Sequence, residues 1–370
     1  MASVTLEELR KTYDKKYWAV NGISLQIADG ELMALLGPSG CGKSSTMRMI
    51  AGLEELTSGK IYFGDQLMNR VTPKHRNVAM VFETYALYPT LSVYENLAFP
   101  LRSAGWKNED IERRVREIVD ILQVEHLLMH KPRDLSSGQS QLVGLGRALM
   151  RQPNVFVMDE PISHLDTRLR SRMRSYIKRL HIDLGYTMLY VTHDQEEAMA
   201  LADRIAIMDQ GIIRQIGTPD EVFHHPNDLF VAGFIGEPPM NFLESQVVHD
   251  NGSYHLEVHG HRIAIPANLK ANVQALPEKI TIGIRPFYIG VSGTPDEQHT
   301  LPGRVFIVES LGDATVISID TDDTRLQVSL EHTPALKSGD DIWLALDPDY
   351  MVGFDPHSQL ALVGHNGSKA

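Results

Sequence analysis

The chain reads as an α/β domain on a parallel sheet, followed by a smaller all-β domain. Three observations lead there. Up to about residue 235, short apolar runs alternate with helical periodicities. A break rich in proline and glycine follows. Beyond it the pattern is that of strands alone.

Glu31–Leu36, Asn154–Met158 and Thr187–Val191 are apolar at successive positions, so both faces are buried, as central parallel strands require. Ile111, Val115, Ile118, Val119 and Leu122 form one helical stripe, and Leu169, Met173, Tyr176, Ile177 and Leu180 form another. Both are expected to be core faces. The segment Phe234–Asn241, with Gly236, Pro238 and Pro239, interrupts both periodicities and reads as the junction. The expected extents are therefore 1–236, with a helical subdomain at about 88–150, and 240–370. In the second part, His255–Val258 and Arg262–Ile265 flank a turn at His259–His261. Strands over Lys279–Ile284, Arg304–Val308, Ala314–Ile319 and Arg325–Leu330 continue toward a small barrel or sandwich.

Bulk properties narrow the function. At 370 residues the chain exceeds one ordinary core, and its apolar 43% and charged 22% are those of a globular protein. No run approaches the roughly 20 apolar residues that cross a bilayer, and the first residues lack the apolar core of a secretory signal. A single cysteine, Cys41, excludes an internal disulfide and suits a reducing compartment. The net charge of -12 argues against nucleic acid and anionic lipid as partners, so docking at a membrane would go through a protein.

The first chemical motif is Gly37-Pro38-Ser39-Gly40-Cys41-Gly42-Lys43-Ser44, which fits G-x-x-x-x-G-K-[ST] between a buried strand and a helix opening at Ser45. Glycines let the loop curl until its backbone N–H groups face phosphate. Lys43 supplies positive charge and Ser44 a hydroxyl for Mg²⁺, while the helix adds its N-terminal dipole. This is the pattern of a P-loop nucleotide-binding protein. The second motif is Val155–Glu160, an apolar strand that delivers Asp159 toward a metal and Glu160 toward an attacking water.

Between these elements, Asp134-Leu135-Ser136-Ser137-Gly138-Gln139-Ser140-Gln141 resembles the ABC-transporter signature segment. Arg147–Leu149, Ser163–Asp166 and Thr192-His193-Asp194 follow in the family's order, matching its D-loop and switch histidine. Ala86–Pro89, Glu95–Pro100, Gly217–Pro219 and Phe230–Gly236 resemble the carbohydrate-uptake branch, which includes maltose-, trehalose- and glycerol-3-phosphate-type importer ATPases. The resemblance implies a P-loop ATPase domain followed by an OB-like regulatory domain. It implies two ATPase subunits clasped head to tail, two membrane permease subunits, and an external solute-binding protein acting indirectly.

Carried over by position, Glu160 and His193 are the catalytic pair, and Ser44, Glu83 and Asp159 the Mg²⁺ ligands. Tyr13 stacks on adenine, with Tyr17 and Trp18 as the competing positions. Ser136, Ser137, Gly138 and Gln139 meet the γ-phosphate of the other subunit's ATP, and Asp166 belongs to the D-loop. The stretch from Tyr85 to Pro100 faces the permease.

Four positions depart from the family pattern. Glu83 stands where glutamine is usual, Ser137 where glycine is, and Ser140 and Leu142 where basic residues are. Together they raise slower hydrolysis, or pairing with a different ATPase subunit, as the alternative. His249, His255, His259 and His261 lack a completing Cys or carboxylate set and read as polar strand positions. Cys41, inside the loop, is expected to react with thiol reagents.

Overall fold

Burial alternates along the first two strands, β1 (Val4–Thr12) and β2 (Trp18–Ile27), whose apolar residues turn to one face. They belong to a computed structural model that describes residues 2–362 apart from 82–86, 152, 164, 251, 297–299, 313 and 333. These residues form two compact units, Met1–Pro219 and Asp220–Ala370.

In the first unit, β3 (Leu32–Leu36) is buried at every residue and runs into α1 (Lys43–Ala51). Strands β4 (Ser58–Phe63) and β5 (Gln66–Leu67) join the first two in an antiparallel sheet ordered β2-β1-β4-β5. After β6 (Val78–Val81) come three helices, α2 (Val93–Ser103), α3 (Asn108–Leu122) and α4 (Ser137–Leu149). All five stripe residues of α3 are buried. Gly146 lets these helices close up: a Cβ there would stand 2.9 Å from Leu122 and 3.0 Å from Leu97.

The chain then alternates β7 (Val155–Asp159), α5 (Thr167–Leu184), β8 (Met188–Thr192), α6 (Gln195–Leu201), β9 (Arg204–Asp209) and β10 (Ile212–Gly217). The six-stranded sheet is ordered β10-β9-β3-β8-β7-β6. Every neighbouring pair is parallel except β9 with β10. In α5, Met173, Ile177 and Leu180 are buried, whereas Leu169 and Tyr176 are half-buried.

The second unit begins with α7 (Pro219–His224) and α8 (Leu229–Phe234). Its strands are β11 (Asn241–Asp250), β12 (Ser253–Val258), β13 (His261–Ile263), β14 (Lys279–Ile284) and β15 (Ile289–Ser292), then β16 (Leu301–Ser310), β17 (Thr315–Thr321), β18 (Thr324–Leu330), β19 (Asp341–Leu346) and β20 (Val352–Phe354). They make two sheets, β13-β12-β11-β14-β20 and β15-β19-β16-β17-β18, that share one core including Leu243, Ile282, Ile317 and Leu344. Buried Arg285 pins α7 and the end of α8 to β14: its guanidinium donates to Phe223 O and Ile235 O and lies 3.8 Å over the Phe223 ring. Burial pushes its pKa down to about 10. The segment Phe234–Asn241 thus lies inside the second compact unit.

Candidate nucleotide site

Parallel strands present their C-terminal ends along one edge, the place where open α/β sheets bind ligands. Leu36 of β3 pairs in register with Thr192 of β8, and Val191 of β8 with Asp159 of β7. The glycine-rich loop, His193 and the Asp159-Glu160 pair therefore leave adjacent strands at one level, although they lie far apart in the chain.

The loop needs its glycines. A Cβ on Gly37 would lie 2.1 Å from Met208 O, and one on Gly42 would lie 2.2 Å from Ala19 O. Gly42 has φ +109, a left-handed backbone. It is also the N-cap of α1, so that N-terminus has no side-chain cap. Its first backbone N–H groups are left for an anion. Lys43 is buried, and its Nζ donates to Gly37 O (2.7 Å) and Pro38 O (3.0 Å) of its own loop. Ser39, Gly40 and Ser44 are exposed, Pro38 and Ser45 half-buried. Cys41 is buried, and burial raises its thiol pKa, which works against the expected reactivity.

Glu160, just past β7, has φ +44 and donates its N–H to Val191 O at 2.9 Å. This strained turn aims its carboxylate across the strand gap, and Glu160 Oε2 stands 3.0 Å from His193 Nδ1. The structure thus joins the two residues read as catalytic. Asp159 is half-buried at the strand's end. Among the described residues no group of three or more His, Cys, Asp or Glu side chains clusters as a ready metal site. The oxygen donors on hand for Mg²⁺ are the Ser44 hydroxyl and the Asp159 carboxylate, hard ligands suited to that ion. Glu83, the third expected ligand, lies outside the described residues, as do Tyr85 and Ala86.

At the start of α4, Ser136 and Gln139 cap each other. Ser136 Oγ accepts the Gln139 N–H (3.3 Å), and Gln139 Oε1 accepts the Ser136 N–H (2.8 Å). The Ser136 O–H proton is not used by this box, but the Gln139 carbonyl is. Gly138 is packed so tightly on Leu169 that a Cβ would come within 2.2 Å of it. Ser137, by contrast, is exposed on the first turn, so its extra side chain is accommodated. Asp166 caps α5 by accepting the Leu169 N–H at 2.9 Å. Tyr13 is 62% exposed, and its hydroxyl lies 2.9 Å from Ser45 Oγ on α1. Burial of the hydroxyl, and then Glu54, raises its pKa. The ring is exposed beside the glycine-rich loop, with the Lys11 ammonium 4.9 Å from its centroid. Tyr17 and Trp18 are also exposed.

Three supporting residues were given no role by the sequence, although one of them, Gln141, ends the signature-like segment. Arg170 donates to Asp194 (3.2 Å), Leu165 O (3.3 Å) and Ser163 O (3.5 Å), joining the segment after Glu160 to the turn that holds His193. Buried Gln141 donates to Pro161 O and so ties α4 to that segment. Buried Arg76 donates to Met49 O, Ile50 O, Met68 O and Val71 O, closing the C-terminal end of α1. For Arg76 the one available signal was the chemistry of a buried arginine, which must be paired.

Known proteins match this arrangement. The ABC transporter family matches residues 20–163, a MalK OB fold domain residues 236–286, and a TOBE domain residues 276–354. The trehalose/maltose import ATP-binding protein MalK of Thermococcus litoralis is 42% identical, with 96% of this chain and 98% of that protein covered. The sn-glycerol-3-phosphate import ATP-binding protein UgpC of Paraburkholderia xenovorans is 43% identical, with 97% and 99% covered. The osmoprotective compounds uptake ATP-binding protein GgtA of Synechocystis is 41% identical, with 98% and 100% covered. Among solved structures, the dimeric ABC transporter cassette MJ0796, bound to ADP and Pi in a post-hydrolysis state, superposes with TM-score 0.53 at 28% identity, over 58% of this chain and 98% of that one. The chain belongs to the ATP-binding subunits of ABC transporters, ATP hydrolases, in the branch whose ATPase domain is followed by MalK-type OB and TOBE domains.

Proposed function

We propose that this chain hydrolyses ATP, as a homodimer, to drive import of a sugar, polyol or glycerol-3-phosphate-like solute. The observation that carries the reading is the 3.0 Å contact between Glu160 and His193 at the strand edge shared with the glycine-rich loop. Full-length relatives that import trehalose and maltose or sn-glycerol-3-phosphate support the solute class. Their end-to-end match favours a complete ATPase over a degenerate partner subunit.

In this reading the loop's N–H groups, the N-terminus of α1 and Lys43 hold the phosphates, so Lys43 leaves the loop carbonyls when ATP binds. Tyr13 stacks on adenine. Glu160 orients and deprotonates the attacking water. His193, with Nδ1 against that carboxylate, turns its other ring nitrogen to the γ-phosphate. Ser44, Asp159 and Glu83 would hold Mg²⁺, which when bound neutralises phosphate charge. Ser136, Ser137, Gly138, Gln139 and Asp166 act across the dimer on the partner's nucleotide. The domains are 1–236 for hydrolysis and 240–370 for regulation.

The exposed Tyr88 and Phe99, ring centroids 4.7 Å apart, offer an aromatic surface to a permease subunit. No helix among the described residues is long and apolar enough to cross a membrane. The subunit sits at the cytoplasmic face through its permease pair, with a solute-binding protein outside.

The test is sedimentation of Glu160→Gln, expected to bind nucleotide with its turnover largely removed. Dimers with ATP and monomers with ADP are expected. Monomers with both nucleotides, despite ATP binding, would overturn the clasped homodimer.

A further inference from the structure

In the second unit, β13 ends one sheet and β15 ends the other, and both are edge strands. Residues of β12, β13, β15 and β19 line a cavity of about 1170 Å³ at these edges. That exceeds the roughly 300–1,000 Å³ of typical small-molecule pockets, so space does not limit a sugar-sized ligand.

The walls join two chemistries. Tyr254, Phe287 and Tyr288 supply aromatic surface. Phe287 is 44% exposed, and Tyr350 stacks on Tyr288 with centroids 3.6 Å apart, fixing that ring. Arg262 and Lys270 supply charge, and both are exposed. Neither makes an ion pair or side-chain hydrogen bond among the described residues, in a chain with 47 acidic residues against 35 basic ones. Glu257, directly opposite Arg262 in the strand ladder, is not paired with it. His255 also lines the cavity, and its Nδ1 is shielded from solvent without a hydrogen-bond partner. The lining's carboxylate, Asp347, is turned to its own loop, where it accepts the Asp349 N–H at 3.0 Å.

We infer that this cleft binds a small anion with a ring body, of the phosphorylated-sugar class. Two uncompensated cations beside aromatic faces select against a cationic ligand. They suit a phosphate on a pyranose whose C–H face lies on Phe287 or Tyr288. The site is separate from the nucleotide loop and independent of the import reading.

The test is isothermal titration of the full nucleotide-free chain with glucose 6-phosphate, beside glucose and inorganic phosphate. Glucose 6-phosphate is expected to bind with a Kd below about 1 mM, and glucose and inorganic phosphate at least tenfold more weakly. Arg262→Ala/Lys270→Ala and Phe287→Ala should each weaken the sugar phosphate about tenfold or more. Arg262 and Lys270 are exposed, so an unchanged melting curve is expected for the double variant. Phe287 stacks on Phe223 with centroids 5.9 Å apart, so Phe287→Ala is expected to melt somewhat lower but still cooperatively, which shows that it folds. Lys43→Ala should leave this binding intact. No heat up to about 10 mM, or binding lost in Lys43→Ala but kept in Arg262→Ala/Lys270→Ala, would overturn the site.

Discussion

Arg170 shows how one side chain can hold two others in register. Glu160 and His193 end different strands, and their 3.0 Å approach depends on the turns that follow them. The guanidinium of Arg170 spans those turns, holding Ser163 O and Leu165 O on one side and Asp194 on the other. Asp194 in turn caps α6 by accepting the Glu197 N–H at 3.2 Å. Buried Glu197 accepts from Tyr190 Oη (2.9 Å) and Thr192 Oγ1 (2.8 Å), and burial raises its pKa. Loss of Arg170 would loosen the pair without touching the phosphate loop. Arg170→Ala is expected to lower kcat about tenfold with little change in KM for ATP, and Arg170→Lys to recover part of it. Steady-state kinetics would check this; a raised KM at unchanged kcat would show that Arg170 acts on nucleotide binding instead.

At the scale of elements, α1 is finished at both ends by unlike means. Its N-terminus is kept open by Gly42, while its last carbonyls are taken up by Arg76. Arg76→Ala would remove a donor from four carbonyls, three of them in buried bonds, and a loss of about 3 kcal/mol is expected on thermal unfolding. The start of α2 has a reciprocal cap: Ser92 Oγ accepts the Glu95 N–H at 3.2 Å, and Glu95 Oε2 accepts the Ser92 N–H at 2.7 Å. That backbone bond holds the Glu95 carboxyl below its usual pKa. Its folded pKa being depressed, the contribution is complete above the unfolded value of about 4.3 and disappears as pH falls through the folded one. Melting curves of wild type and Glu95→Gln should differ near neutral pH and converge in acid; a gap that widens in acid would refute the sign.

These elements also show what was readable beforehand. The strands at Leu32–Leu36, Val155–Asp159 and Met188–Thr192, the stripe of α3 and the glycine-rich loop are local patterns, so they were legible from residues alone. Arg76 and Gln141 were not. Their partners, Met49 and Pro161, lie 27 and 20 residues away, and no periodicity marks a bond across such a gap. The burial of Cys41 was missed for a related reason. A glycine-rich loop suggests exposure, yet Gly211 donates its N–H to Cys41 O at 3.0 Å and packs that side of the loop.

At the scale of the molecule, the parallel sheet converts order in sequence into proximity in space. The motifs leave β3, β7 and β8, neighbours in the order β3-β8-β7, and meet at one edge. The substituted Ser137 does not disturb this arrangement, since it lies exposed while Gly138 occupies the tight contact with Leu169. The loop, the acidic strand end and the histidine turn lie together at that edge, and one further acidic position, Glu83, lies outside the described residues. Steady-state ATP hydrolysis by purified wild type beside Glu160→Gln, with Mg²⁺ and at concentrations that favour dimers, tests the central claim most directly. Turnover in the wild type that falls by roughly 10²–10⁴-fold in Glu160→Gln is the expected result. Equal turnover in the two proteins, or none in the wild type despite bound ATP, would contradict a self-sufficient motor built on Glu160 and His193.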